Sequence, residues 1–281
     1  MNIFQSIILG IVQGLTEFLP VSSTAHLRII PALLHWGDPG TAYSAVIQLG
    51  TVFAVVVYFS SDLKKIFGSF FSDLPRLFKN ERPRLKSFES KLGFWILFST
   101  LPICFFGLLF KEPIENGWVR SLNVISLSLI FVGILLFIAE KTGKQERTLQ
   151  KINFLDSLWI GFAQSLALIP GVSRSGSTII AALFLGIKRE DAARFSFLLS
   201  VPAVVLSGLF ELRTFIVSIK SGEELIWINI IAGVISAFIS GYFSIDFLLK
   251  YLKDHKTYVF VIYRVLLGLL VIYLNSIGYI N

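Results

Sequence analysis

Two stretches of this chain carry residue types that can do chemistry, and both sit in otherwise apolar surroundings. One of them, Pro170-Gly-Val-Ser-Arg-Ser-Gly-Ser-Thr178, gathers one arginine and four hydroxyls within nine residues. Pro170 and Gly171 interrupt any preceding helix, because proline has no amide donor and glycine accepts a left-handed backbone. Ser173 then stands at an N-cap position, and the apolar run Thr178 to Leu185 continues behind it as a new helix. The free N–H groups of that helix start, Arg174, and the hydroxyls of Ser173, Ser175, Ser177 and Thr178 make a cup for an anion with several oxygens, such as a phosphate. A solvated turn is the plain alternative. The apolar flanks oppose it, since an irregular backbone carrying an arginine in lipid would cost at least ~2.5 kcal/mol for the charge alone.

The other stretch runs from Gln13 to His26. Gln13 and Glu17 lie four apart and so share one face of a helix. Beyond Pro20, the run Val21-Ser22-Ser23-Thr24-Ala25-His26 can cap and open a second helix, with His26 within a turn of the serines. An acid at membrane depth needs a cavity or a partner, and for Glu17 that partner is Arg174 or a metal-bound phosphate. The two stretches together supply a phosphoryl-transfer site: a nucleophile or water activator, an acid or base, and a cationic clamp. Each residue alone has a blander reading, with His26 packed, Ser22 and Ser23 as caps only, and Glu17 and Arg174 as a structural ion pair.

The elements that must hold these residues are membrane helices. Hydrophobic residues make up 54% of the 281 and charged ones only 15%, with a mean hydropathy of +0.75, whereas about a quarter of a soluble domain is charged. The net charge of +7 does not indicate nucleic acid, because the basic residues fall in short connections between apolar runs. Cys104 is the single cysteine, inside an apolar run, and reads as packing. The N-terminus shows no basic region or small-residue cleavage site, so Met1 is expected to begin the inserted chain.

Ile3 to Leu34 is interrupted by polar residues and Pro20, which predicts two half-helices forming a re-entrant hairpin. Three spans are expected next, Ala42–Phe59, Leu92–Phe110 and Leu122–Ala139. Ile152–Ile187 is then broken at Pro170 as the first segment is at Pro20, and three more spans follow, Ala192–Val217, Leu225–Leu249 and Tyr258–Ile277. The expected fold is thus an all-α polytopic membrane protein with six full spans and two re-entrant hairpins, in a single domain over residues 1–281. Gly10, Gln13 and Leu15 recur 151 residues later as Gly161, Gln164 and Leu166; Ser22 recurs as Ser173 and, with a slip of one, Pro20 as Pro170. Residues 1–140 and 152–281 therefore read as repeats, inverted because each holds an odd number of spans. Eighteen of the 25 Lys and Arg fall in four loops on one side (Ser60–Lys91, Glu140–Lys151, Lys188–Arg194 and Lys250–Lys256) and five on the other, which places both termini outside the cytoplasm. Asp62–Lys91 is expected to be a plain cytoplasmic connection, and Arg264, inside the last span, to pair with Asp246.

The run Gln13-Gly-Leu-Thr-Glu-Phe-Leu-Pro-Val-Ser-Ser-Thr-Ala-His26, followed by Pro170–Thr178, resembles the bacterial undecaprenyl-diphosphatase family associated with bacitracin resistance, over essentially the whole chain. The resemblance implies hydrolysis of the lipid carrier undecaprenyl diphosphate to the monophosphate for cell-wall synthesis, in the plasma (inner) membrane, with Mg²⁺ or Ca²⁺. That family's acidic motif admits Glu or Gln at its first position; this chain has Gln13, which leaves Glu17 as a single acid. By the same resemblance Glu17 is the metal-binding or basic residue and Ser23 or His26 the nucleophile or proton-transfer group. Ser173, Arg174 and Thr178 are the diphosphate clamp, with Gln13 and Ser22 in the substrate-binding set. Ser23 as the attacking group with His26 as acid/base uses both residues. The implied partners are a polyprenyl diphosphate and membrane lipids, with homo-oligomerisation left open. A flippase for a polyprenyl phosphate lipid is the competing class, since broken helices in inverted repeats also build transporters.

Overall fold

The structure, a computed structural model, describes residues 1–77, 87–110, 118–218 and 224–280. Each apolar run of the sequence folds as helix, and the two breaks that carry the polar motifs fall at Pro20 and at Pro170-Gly171, where proline removes a donor and glycine admits a turn. Helix α1 (Ile3–Phe18) opens on a capping box between Asn2 and Gln5, and α2 (Ser23–Leu33) follows the turn at Pro20. Then come α3 (Gly40–Tyr58), α4 (Ser60–Leu77), α5 (Phe88–Leu109) and α6 (Leu122–Thr142). After the second connection the order is α7 (Phe154–Ser165), α8 (Arg174–Phe184), α9 (Arg189–Ser218), α10 (Glu224–Asp254) and α11 (Tyr258–Ser276). Among the described residues there is no strand, only an isolated bridge between Arg147 and Ile187.

Among the described residues five helices, α5, α6, α9, α10 and α11, are long and apolar enough to cross a membrane. The count becomes six if α3 and α4, bent by 80° at Phe59, make one broken span. The stretch after Ser60 is therefore not the plain connection expected of it. Leu63, Ile66 and Asp73 are buried on one face of α4 while Lys64, Lys65, Phe67 and Phe71 are exposed on the other, an amphipathic period that folds against α5. The remainder of the expected connection, 78–86, lies outside the described residues.

Glycines let the short helices approach the long ones. A Cβ on Gly10 would stand 2.3 Å from the Gly233 carbonyl oxygen of α10, and one on Gly14 would stand 2.0 Å from Ser240 Oγ. In the second half a Cβ on Gly161 of α7 would stand 2.4 Å from the Ser99 carbonyl oxygen of α5. Small residues that bring helix backbones together are the membrane substitute for a hydrophobic driving force. Gly10→Ala and Gly161→Ala are each expected to cost about 1–3 kcal/mol, because the facing atoms are backbone and cannot move aside. Thermal unfolding in detergent measures this, and an unchanged midpoint in both would refute the close packing.

Polar ties at the other end hold the helices in register. Glu140 at the end of α6 receives the Arg189 guanidinium of α9 and, at 2.9 Å, the hydroxyl of Thr257, which precedes α11. Arg147 pairs with Asp156 in the first turn of α7 and donates to the Leu185 carbonyl beyond α8 at 2.9 Å, so one side chain joins the two ends of the second broken segment.

Candidate active site

The two breaks are built alike. Helix α1 stops at Phe18, Leu19 turns extended, and Ser22 caps α2 from φ 74°, accepting the Ala25 amide at 3.4 Å. Ser173 caps α8 from the same φ of 74° and accepts the Gly176 amide at 3.1 Å. A non-glycine residue held at such a φ costs about 1–3 kcal/mol, so its surroundings must fix it. Hydroxyls do this at both places, Thr24 against Ser22 and Ser175 against Ser173, each pair 3.1 Å apart. They also cross over. The Thr24 hydroxyl accepts the Gly171 amide at 3.5 Å, and the Ser175 hydroxyl donates to the Leu19 carbonyl at 3.0 Å.

This arrangement makes Ser23 and Arg174 the first residues of α2 and α8, and both reach one carboxylate. Ser23 Oγ donates to Glu17 Oε2 at 2.6 Å, and Arg174 Nη2 donates to Glu17 Oε1 at 2.7 Å. Gln13, one turn back on α1, donates to Oε2 at 2.8 Å, and Gln48 of α3 donates to Oε1 at 3.0 Å. Each carboxylate oxygen thus has two donors, and Glu17 is only 4% exposed. Arg174 is less satisfied: its Nε is buried without a partner among the described residues, and Nη1 makes a 3.5 Å contact with the Ser196 carbonyl. A buried arginine donor without a protein acceptor is suited to an anionic oxygen.

The other expected residues are placed less directly. His26 is buried, but its ring turns away from the Ser23–Glu17 pair: Nδ1 lies 2.7 Å from the Ser22 carbonyl and Nε2 2.6 Å from the Tyr263 hydroxyl of α11. A carbonyl can only accept, so Nδ1 carries a proton directed at Ser22, and Nε2 shares a hydrogen bond with the Tyr263 hydroxyl. The histidine ring is thus bonded to Ser22 and Tyr263, while the hydroxyl of Ser23 is bonded to Glu17. Thr178 is close to Arg174 in sequence, yet its hydroxyl is spent on the Arg174 carbonyl at 2.9 Å and on Ser196 Oγ at 2.6 Å. Ser22 and Ser173 act as caps, and Gln13 as a donor to Glu17.

Arg264 is not paired with Asp246. Asp246 binds Lys250 at 2.7 Å and Tyr58 at 3.1 Å, while Arg264 is fully buried and bonded to backbone carbonyls of both breaks and of α6. The expectation failed because both are charged residues of the last two spans, whereas burial takes Arg264 inward to the carbonyls that the breaks leave free. Gln48, Tyr263 and Ser196 were not singled out from the sequence. Gln48, an amide inside the apolar run Val46-Ile-Gln-Leu-Gly50, offered the one usable signal, a polar side chain at membrane depth.

The chain is similar to known proteins along nearly its whole length. The family profile of the bacitracin resistance protein BacA matches residues 6–270. An undecaprenyl-diphosphatase of Chlorobaculum parvum is 49% identical, covering 100% of this chain and 99% of its own length. Those of Myxococcus xanthus and Chlorobium limicola are 48% and 51% identical, covering 99% and 95% of this chain and 91% and 95% of their own lengths.

Proposed function

The chain belongs to the bacitracin resistance protein BacA family, and we propose on that footing that it is a membrane hydrolase converting undecaprenyl diphosphate to undecaprenyl phosphate and inorganic phosphate. The observation that carries the reading is the hydroxyl of Ser23 held 2.6 Å from Glu17, beside an arginine with an unpartnered donor. A nucleophile within hydrogen-bond reach of a base, with cationic and helix-end donors facing it, is the equipment of phosphoryl transfer.

The terminal phosphoryl group enters between Ser23 and Arg174. Its oxygens take the free Nε–H of Arg174 and compete with Glu17 for Nη2, while the N-termini of α2 and α8 face the charge. Ser23 Oγ attacks phosphorus as its proton passes to Glu17, and the bond to the bridging oxygen breaks. Glu17 returns that proton to the departing undecaprenyl phosphate. A water molecule then attacks the phosphoserine; its proton passes through Glu17 to Ser23 Oγ, and inorganic phosphate leaves.

Among the described residues no three His, Cys, Asp or Glu converge, and both oxygens of Glu17 are already taken by donors. The Mg²⁺ or Ca²⁺ that the family implies is proposed to travel with the diphosphate, whose own oxygens bind it, so Glu17 serves as base.

The inverted repeat is proposed as the frame of the site. Identical caps at Ser22 and Ser173, the two glycine-mediated approaches and the crossed Thr24 and Ser175 bonds support it. With the basic loops in the cytoplasm, both termini and the site face the outer side of the inner membrane. In a Cys104→Ser background, Tyr279→Cys is expected to react with an impermeant thiol reagent on intact spheroplasts and Lys144→Cys to react only after lysis. The opposite pattern would reverse the orientation. The hydrolase itself is tested by purified protein in detergent, which is expected to release phosphate from a polyprenyl diphosphate; a flippase, lacking a second compartment there, would release none.

A further inference from the structure

Arg264 of α11 is fully buried, and among the described residues no carboxylate pairs with it. Its Nη1 donates to the Pro20 carbonyl at 3.0 Å. Nη2 donates to the carbonyls of Gly171 at 2.8 Å and Val172 at 3.2 Å, with Ser128 at 3.4 Å, and Nε donates to Leu129 at 3.2 Å. The carbonyls of Pro20, Gly171 and Val172 precede the N-caps of α2 and α8, so no amide of the helix that follows can reach them. One planar, rigid group therefore grips the first break with one nitrogen, the second with another, and α6 behind them.

From this geometry, and resting on the hydrolase reading above, we propose that Arg264 is the positioning residue that sets the separation at which Ser23 and Arg174 meet on Glu17. Ser23 lies three residues beyond Pro20, and Arg174 two beyond Val172, so any drift of one break relative to the other moves these side chains apart. Charge points the same way. Arg174 is matched by Glu17 at 2.7 Å, whereas among the described residues no carboxylate matches Arg264, so its positive charge adds to the field that favours an anionic substrate.

The test compares Arg264→Lys and Arg264→Gln with the wild type in detergent, using turnover per folded molecule, the Michaelis constant for a polyprenyl diphosphate and the thermal midpoint. Lysine keeps the charge, but a single ammonium cannot span both breaks. Arg264→Lys is expected to lose about 10²-fold in kcat, the effect of a displacement near 1 Å, with KM within about threefold of wild type. Arg264→Gln is expected to show the same loss in kcat together with a raised KM. A residue that only stabilised the fold would lower the thermal midpoint and the yield while leaving kcat per folded molecule unchanged. Normal kcat per folded molecule in Arg264→Lys overturns the proposal, and so does failure to isolate either variant folded, which would assign Arg264 to folding. If the wild type itself releases no phosphate, the hydrolase reading fails instead, so the two failures are distinguishable.

Discussion

Ser23→Ala is expected to lower kcat at least about 10³-fold while KM for the lipid diphosphate changes only a few-fold. The hydroxyl donates its proton to Glu17 at 2.6 Å, so that proton is committed to the carboxylate and not free to hold substrate in the ground state. Glu17→Gln is expected to cost a similar factor, since the amide keeps the shape of the carboxylate but cannot accept the serine proton. The decisive construction is the double variant. Two residues that act as one nucleophile–base unit fail together, so Ser23→Ala/Glu17→Gln should be no slower than the worse single variant. Multiplying losses would mean that Ser23 and Glu17 do separate work. Normal turnover by Ser23→Ala would make the nucleophile a water activated by Glu17. His26→Ala is expected to be milder, because the imidazole contacts the Ser22 carbonyl and Tyr263, not Ser23 or Glu17.

That pairing shows how far the sequence could be read. The breaks at Pro20 and Pro170, the caps at Ser22 and Ser173, and the Glu17–Arg174 partnership all follow from local rules: which residues end a helix, which cap one, and which charges need company in lipid. The partner of Ser23 did not follow. His26 is three residues away in the chain and Glu17 six, and only the turn at Pro20, which folds α2 back beside α1, makes the more distant residue the neighbour. Arg264 and Tyr263 were illegible for a related reason. They come from α11, 237 or more residues beyond the groups they touch in the first break, and their acceptors include backbone carbonyls and a ring nitrogen that no motif encodes. Helix α4 was missed because its alternation of Lys, Phe and Ile reads as a charged connection until its buried face meets α5.

Arg174→Lys is expected to lower kcat/KM by about 10²- to 10³-fold, with KM raised, in a protein that still folds and inserts. In the resting site the guanidinium has one terminal nitrogen on Glu17, a weak contact to Ser196, and Nε unused. Binding a phosphate asks the group to do two things at once: to present a planar pair of donors to two oxygens and to release the carboxylate that must accept the serine proton. A lysine ammonium can satisfy Glu17 as a point charge, so the buried carboxylate is not left alone and the fold survives, but it has no second arm for the phosphate. Arg174→Gln removes the charge as well, and breaking a buried pair in this way typically costs about 3–5 kcal/mol. It is therefore expected to lose thermal stability that Arg174→Lys keeps. Steady-state kinetics alongside thermal unfolding separate the two roles. Near-normal kcat/KM in Arg174→Lys would leave Arg174 a structural partner of Glu17 and move the phosphate grip to the N-termini of α2 and α8.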